Sequence, residues 1–156
     1  MLVTRDPLTG LLATPVLREA LEHEVASADR YGPPSLVVVD VVDYENWVES
    51  AGALRADLVM RGLSSALRSA SRRSDIQGLL GPGRLCLVLP RTPAGLAQIV
   101  ARRVRTHCAR LAGQPPQLVV GLVHLPAPGD VDELLAEVDA VMLGAGTNQG
   151  LRVVTP

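Results

Sequence analysis

Four charged residues are the candidates for ligand binding in this sequence. They are Arg72 and Asp75, three positions apart, and the aspartates Asp40 and Asp57. An arginine presents a planar fork of hydrogen-bond donors, and an ionised carboxylate accepts hydrogen bonds or holds a cation. Each residue also has a structural interpretation. Arg72 would oppose the negative end of a helix dipole, with Asp75 as its local partner. Asp40 would belong to a turn and Asp57 to a solvated helix face, so the sequence alone leaves both interpretations open.

The cysteine and histidine side chains indicate no metal or disulfide site. Cys86 and Cys108 are the only cysteines, and they are too few and too isolated for a disulfide framework or a zinc cluster. We expect two buried or half-buried thiols. His23, His107 and His124 fall on different predicted elements without the spacing of metal ligands, which favours structural or exposed positions.

The composition is that of one folded domain. Of 156 residues, 47% are hydrophobic and 20% are charged, which argues against disorder, and this length suits one domain rather than two. The formal net charge of -1 gives no attraction towards nucleic acid or anionic membranes. The sequence shows no signal peptide and no apolar run of roughly 20 residues. We therefore expect no membrane span, no nucleic-acid partner and a cytoplasmic location.

Apolar periodicity and turn residues divide the chain into helices and strands. The predicted helices cover residues 14–30, 43–50, 54–71, 93–111 and 130–143, and the predicted strands cover residues 36–40, 76–80, 85–89, 117–125 and 151–154. Turn formers at Gly81-Pro82-Gly83-Arg84 make the second and third strands a hairpin. A hairpin among α/β crossovers predicts an α/β fold, with a central mixed sheet of about five strands and helices on both faces.

Residue types predict two details of the helices. Thr14 is the expected N-cap of the first helix, with Pro15 at its first position. The helix over residues 54–71 is expected to bury one apolar face. That face consists of Leu54, Leu58, Val59, Gly62, Leu63, Ala66 and Leu67.

Several segments resemble motifs of the GGDEF (diguanylate cyclase) domain family. They are the opening Asp6-Pro7-Leu8-Thr9-Gly10-Leu11 segment, the strand Val37-Val38-Val39-Asp40, the hairpin Gly81-Pro82-Gly83-Arg84-Leu85, and Val138-Asp139-Ala140 in the last helix. The resemblance covers essentially the whole chain and implies a single degenerate GGDEF domain over residues 1–156. GGDEF domains usually follow sensory domains, so the resemblance also suggests a fragment of a larger signalling protein.

Members of this family condense two GTP molecules into cyclic di-GMP, and the resemblance implies two metal ions held by carboxylates. Asp40 matches the first metal-binding aspartate, and Asp57 matches a guanine-reading residue. Gly83 stands where the hairpin has its metal-binding carboxylate, and Arg84 stands in place of the following glutamate. We therefore expect a vestigial active site at these four positions, with no metal and no cofactor.

Three further positions depart from the family pattern. Glu45 stands in place of a phosphate-facing lysine, Val48 in place of a guanine-reading asparagine, and Gly146 in place of a phosphate-binding lysine. A carboxylate repels a triphosphate, and an apolar side chain leaves a guanine edge without its hydrogen-bond partner. The expectation from these departures is that the chain is not an enzyme.

Arg72 and Asp75 match the R-x-x-D motif that forms the inhibitory site for cyclic di-GMP in this family, at the same distance before the hairpin. An arginine fork can bond O6 and N7 of guanine, and a carboxylate can accept from N1 and N2. In the family, a second arginine from the following helix commonly joins this site. Arg103 is the nearest match, although Arg102 and Arg105 lie in the same stretch.

The resemblance leads to three hypotheses for function, in this order. In the first, the domain is a catalytically inactive receptor that binds cyclic di-GMP through Arg72, Asp75 and Arg103. In the second, it is a ligand-free interaction or dimerisation module whose partner is itself or another signalling protein. In the third, Asp40 and Asp57 support GTP sensing or residual cyclase activity.

Overall fold

The computed structural model describes residues 4–111, 116–145 and 152–154. The helices in this part of the chain are α1 (Thr14–Ala26), α2 (Ala28–Tyr31), α3 (Tyr44–Ala51), α4 (Ala53–Ala70), α5 (Ala94–Ala109) and α6 (Val131–Ala145). The strands are β1 (Ser35–Val41), β2 (Ile76–Gly81), β3 (Arg84–Leu89), β4 (Leu118–His124) and β5 (Arg152–Val154). Every predicted strand is present. The helix predicted over residues 14–30 is divided at Ser27, which separates α1 from α2.

The five strands form one mixed sheet in the order β2-β3-β1-β4-β5. Strand β1 lies at the centre, antiparallel to both neighbours, and its Val38 is opposite Cys86 of β3 and Gly121 of β4. The hairpin pairs β2 with β3, and β5 pairs with β4 in parallel. The predicted α/β fold with a mixed sheet of about five strands is therefore confirmed.

Strand β1 is buried on both faces of the sheet. Val37 and Val39 pack into a cluster with α4 and α5, whereas Leu36 and Val38 pack into a second cluster with α1 and α6. This division follows from strand geometry, because successive side chains point to opposite faces. Burying each such side chain contributes about 1.5–3 kcal/mol. The helices consequently lie in two layers, one on each side of the sheet.

The opening segment that resembles D-x-L-T-G-L forms a tight loop against α4. The Asp6 carboxylate accepts hydrogen bonds from the backbone nitrogen of Thr9 at 3.0 Å and from its hydroxyl at 2.6 Å. Gly10 has a φ of 73°, which favours glycine. Leu11 is buried in the core, and Ser64 of α4 donates to the carbonyl of Thr9 at 2.9 Å. This motif therefore has a structural role, which is to attach the start of the chain to α4.

The N-terminus of α1 differs from the prediction. Ala13, not Thr14, is the N-cap residue, and no side chain caps this helix. Val16 and Leu17 donate to the carbonyl of Ala13, so the helical hydrogen bonds start one residue earlier than expected. Pro15 still lies in the first turn, where its missing N–H has no consequence.

The predicted apolar face of α4 was wrong at its first two leucines. Leu54 is 78% exposed and Leu58 is 60% exposed. The buried side begins at Ala56 and continues through Val59 and Met60. At 3.6 residues per turn, a position two residues from Ala56 points about 200° away from it, so both leucines face outwards.

Both thiols lie in the core. Cys86 belongs to the cluster under α1 and α6, and Cys108 belongs to the cluster under α4 and α5. Burial raises the pKa of Cys86 to about 12 and that of Cys108 to about 11. Neither thiol is therefore a thiolate near neutral pH, and both lack access to reagents.

We expect neither cysteine to react with a thiol reagent such as DTNB at pH 8 in the folded domain, because the thiolate is the reactive species. Both should react after unfolding in urea. The measurement is the number of thiols titrated with and without urea, and rapid modification of the folded domain would contradict the burial of these residues.

Candidate functional site

Asp40 and Arg84 lie opposite each other at the end of β1, where the sheet meets the hairpin. Arg84 donates from Nε to Oδ1 of Asp40 at 2.8 Å and from Nη2 to Oδ2 at 3.0 Å. This is a two-pronged arrangement between a guanidinium and a carboxylate, the geometry of strong ion pairs. The two side chains are only 27% and 21% exposed, so the pair is partly shielded from water.

A second carboxylate reaches the same guanidinium from α6. Arg84 donates from Nη1 to Oδ1 of Asp139 at 2.6 Å. The ion pairs raise the pKa of Arg84, with the hydrogen bond to Asp40 as the largest cause. Arg84 therefore connects the hairpin, β1 and α6. The sequence placed Asp139 in a family motif, but nothing there indicated that it would meet Arg84.

The turn of the hairpin packs against the ring of Tyr44, the first residue of α3. Gly83 has a φ of 70°, and a Cβ added to it would lie 2.5 Å from Cγ of Tyr44. Its carbonyl accepts a hydrogen bond from Val41 at 2.8 Å, which fixes the turn against β1. A carboxylate at this position, as in the family motif, would require Tyr44 to move.

A cleft of about 340 Å³ opens between β1 and the hairpin, and its lining includes Asp40, Tyr44 and Arg84. A neighbouring cleft of about 450 Å³ is lined in part by Asp40, Arg84 and Asp139. Asp57 lines neither cleft and is exposed on α4. Of the four positions predicted as a vestigial site, the structure therefore groups Asp40, Gly83 and Arg84 and leaves Asp57 apart.

Of the three positions that replace phosphate- and guanine-binding residues of the family, the two that the structure describes do not join the cluster around Asp40. Glu45 is exposed and Val48 is partly buried, both on α3. Gly146 lies outside the described residues.

The family resemblance implies metal ions beside the hairpin, where Asp40 would be one of their ligands. In the part of the chain that the structure describes, no three acidic, histidine or cysteine side chains come together as a metal site. Both oxygens of Asp40 accept hydrogen bonds from Arg84. A metal ion at Asp40 would have to displace the guanidinium, so the residues as arranged fit an arginine here rather than metal ions.

A second polar cluster lies at the end of α4, where the sequence predicted Arg72 and Asp75 to meet. The backbone nitrogen of Arg72 donates to Oδ2 of Asp75 at 2.7 Å, and Nη2 of Arg72 lies 3.7 Å from Oδ1. The side chain of Asp75 is 0% exposed, whereas that of Arg72 is 59% exposed. Oδ1 of Asp75 is buried without a hydrogen-bond partner, which is unusual for a carboxylate oxygen.

Thr92 completes this cluster, although no sequence pattern indicated a role for it there. Nη2 of Arg72 donates to the Thr92 hydroxyl at 2.9 Å, which in turn donates to the carbonyl of Pro90 at 3.0 Å. Ser35 donates to the carbonyl of Thr92 at 2.6 Å. The Thr92-Pro93 pair signalled only the start of a helix, and the fold was needed to place it beside Arg72.

Arg103 is exposed on α5 and lines a shallow groove with Arg102, Thr106, His107 and other residues of that helix. Within the described residues, no hydrogen bond or ion pair joins Arg103 to the cluster at the end of α4. The structure therefore brings two of the three predicted ligand-binding residues together and leaves the third on the neighbouring helix.

The model of the GGDEF domain of diguanylate cyclases matches residues 3–150 of this chain. The chain belongs to the GGDEF domain family.

Individual relatives agree with this assignment. The diguanylate cyclase DgcM of Escherichia coli (strain K12) is 28% identical over 96% of this chain, and the chain spans only 37% of the length of DgcM. The structure of the diguanylate cyclase SiaD of Pseudomonas aeruginosa, in complex with its activator SiaC, has a TM-score of 0.81 at 25% identity, covering 96% of this chain and 61% of that one. The GGDEF domain of DgcB from Caulobacter crescentus, in complex with c-di-GMP, has a TM-score of 0.81 at 16% identity, covering 98% of this chain and 96% of that one.

These comparisons overturn one prediction. The residues at single motif positions predicted a chain that is not an enzyme. The curated relatives that match nearly all of the chain are named diguanylate cyclases, and the family is that of the cyclase domain. The prediction was therefore wrong, because it gave five single positions more weight than the similarity of the whole domain.

The packing of Gly83 gives a stability prediction. We expect Gly83→Ala to lower the free energy of unfolding by about 2 kcal/mol, because it forces a side chain into a positive φ and against Tyr44. The measurement is urea unfolding followed by circular dichroism.

Gly81 of the same hairpin is the matched control. A Cβ at Gly81 would meet no atom within 4 Å, and its φ is not positive. We expect Gly81→Ala to change the free energy of unfolding by less than about 1 kcal/mol. Equal unfolding midpoints for the two variants would contradict the close contact between Gly83 and Tyr44.

Proposed function

We propose that this GGDEF domain binds cyclic di-GMP at the cluster of Arg72, Asp75 and Thr92. The observation that supports the proposal is the buried Asp75 carboxylate, which has one oxygen without a hydrogen-bond partner beneath an exposed arginine. A buried acceptor left unsatisfied costs about 1–3 kcal/mol. A ligand that supplied a donor to this oxygen would recover that free energy.

The chemistry of guanine suits the two side chains. The Arg72 fork can donate to O6 and N7, and the free oxygen of Asp75 can accept from N1 or N2 on the adjacent edge. Because Arg72 lies 3.7 Å from that oxygen and covers it, the arginine must turn towards the base as the ligand enters. Its large exposed fraction leaves it room to do so. Before the ligand binds, the hydrogen bond to Thr92 holds Arg72 near the site.

The comparisons support this proposal by analogy. The DgcB domain, which has the same fold, is in complex with c-di-GMP. The position of Arg72 and Asp75 before the hairpin also matches the R-x-x-D motif of the family. The proposal also includes Arg103. This arginine lies on α5 and would reach a phosphate or a base of the ligand.

Isothermal titration of the domain with cyclic di-GMP tests the site. We expect micromolar or tighter binding that Arg72→Ala abolishes, since the exposed fork makes the principal contacts. Arg103→Ala should weaken binding by about tenfold to a hundredfold, the effect of one hydrogen bond to a charged group.

Arg73→Ala is the matched control, because Arg73 is an exposed arginine next to the site that the structure does not place in the cluster. It should bind as the unchanged domain does. Thermal unfolding of each variant separates lost binding from lost folding. An absence of heat in the unchanged domain would contradict the proposal and favour a domain that acts only through protein partners.

Diguanylate cyclase activity is the second candidate function, and the names of the curated relatives favour it. Because the chain spans 37% of the length of DgcM, the activity of the whole relative is a proposal here. Asp40 lines the cleft beside the hairpin, where the family reaction would take place. In this chain Arg84 holds both oxygens of Asp40, so it must release the carboxylate before Asp40 can take part.

A chromatographic assay for the conversion of GTP to cyclic di-GMP with Mg²⁺ tests this candidate. We expect Asp40→Asn to remove the product and Arg84→Ala, which frees Asp40, to increase the rate. Asp29→Asn, which changes an exposed aspartate on α2 that lines neither cleft, is the control for Asp40. Absence of product in both the unchanged domain and Arg84→Ala would exclude this candidate and leave the binding proposal untouched.

A further inference from the structure

The charges of the chain are separated along the sequence. Residues 53–110 contain eleven of the fifteen arginines and only two of the sixteen acidic residues, so this segment has a formal charge of +9 and the rest of the chain has -10. The net charge of -1 is thus the sum of two large opposite charges.

The fold converts this separation into two faces. Helices α4 and α5 cover one side of the sheet, and α1 and α6 cover the other. Helices α1 and α6 together contain seven acidic residues and one arginine, Arg18. Helices α4 and α5 contain one acidic residue, Asp57. Their arginines are all exposed, and they are Arg55, Arg61, Arg68, Arg102, Arg103 and Arg105. We call the outer side of α4 and α5 the basic face.

Helices α4 and α5 lie side by side and run in opposite directions. Arg72, just after α4, contacts Thr92, just before α5. Leu111, just after α5, packs against Gly62 in the middle of α4. The basic face is therefore a continuous two-helix surface.

Four arginines of the basic face have no ion pair within the described residues. None of the ion pairs in the described residues involves Arg61, Arg102, Arg103 or Arg105. By contrast, Arg18 on the opposite face is paired with Glu22 and with Asp132. A set of like charges without counter-charges is unfavourable by itself and attracts an anionic surface.

Exposed aliphatic side chains lie on the same two helices. Leu54 and Leu58 project from α4, and Leu96 and Ile99 project from α5, with exposed fractions between 47% and 78%. The described part of the chain exposes six large hydrophobic residues, and four of them lie on these two helices. Apolar side chains beside unpaired arginines need a partner that is both anionic and apolar.

We propose that the basic face binds the surface of an anionic lipid bilayer. The arginines would contact lipid phosphates, and the four aliphatic side chains would enter the boundary between headgroups and acyl chains. The acidic face, formed by α1 and α6 on the other side of the sheet, would point away from the membrane. This binding is peripheral, and no helix in the described residues is long and apolar enough to cross a membrane.

Other occupants suit the surface less well. The acidic face of a second copy matches the charge, but Leu143 is the only large hydrophobic residue exposed on its described part. Nucleic acid would leave the aliphatic side chains without a partner, and α4 and α5 carry no Phe, Tyr or Trp on which bases could stack. Of these three partners, the lipid surface is the one that satisfies both kinds of side chain.

Co-sedimentation of the domain with vesicles tests the proposal. We expect binding to vesicles of phosphatidylcholine mixed with phosphatidylglycerol and none to phosphatidylcholine alone. High salt should weaken the binding, because these exposed charges are screened. Arg102→Glu combined with Arg105→Glu should reduce the bound fraction by more than about tenfold, since each basic residue near a surface contributes about 1 kcal/mol. Leu96→Ser combined with Ile99→Ser should also reduce it.

Arg18→Glu combined with Arg30→Glu is the matched control. It makes the same change in net charge outside the basic face, on α1 and α2, so it should retain binding. If the control loses as much binding as the first double variant, the assignment of the face is overturned. Absence of binding to anionic vesicles would overturn the proposal itself.

Sedimentation without vesicles tests whether a second copy covers the face instead. If the domain self-associates, does not bind vesicles, and dissociates when Arg102→Glu and Arg105→Glu are combined, the face belongs to a second copy and the lipid proposal is overturned.

Discussion

The structure depends on the burial of β1 between two helical layers. Its valines and leucine alternate between the cluster under α4 and α5 and the cluster under α1 and α6. Both edges of the strand pair with antiparallel neighbours, β3 and β4. One strand therefore fixes the register of the hairpin and the separation of the two helical layers. Asp40, near its end, is held beside the hairpin by the same register.

The elements could be predicted from the sequence because each one has a local signal. Turn formers marked the hairpin, and apolar residues between turn formers marked β1 as a strand. The buried side of a helix was predicted less well, because it depends on how the helix is rotated about its axis. Leu54 and Leu58 share the apolar character of α4 but project from its outer side. Thr92 and Asp139 joined their clusters through contacts distant in sequence, for which no local pattern exists.

The hairpin cleft shows why single motif positions do not decide function. Gly83 and Arg84 depart from the family motif, and the structure accommodates both departures, one with Tyr44 and the other with an ion pair to Asp40 and Asp139. The rest of the chain retains the fold and the similarity of diguanylate cyclases. At the end of α4, by contrast, the sequence prediction of Arg72 beside Asp75 needed no long-range information, because three residues of chain bring the two together.

The formal net charge illustrates the difference between composition and placement. A value of -1 argued against attraction to an anionic membrane. That argument holds only if charges are mixed over the surface, since a partner at contact distance responds to the nearest charges and not to the sum. In this chain the sheet separates an arginine-rich layer from an acid-rich layer. The screening length at physiological salt is about 8 Å. The two helical layers lie further apart than this, because the whole sheet lies between them. A partner at α4 and α5 therefore experiences a basic surface, whatever the total charge.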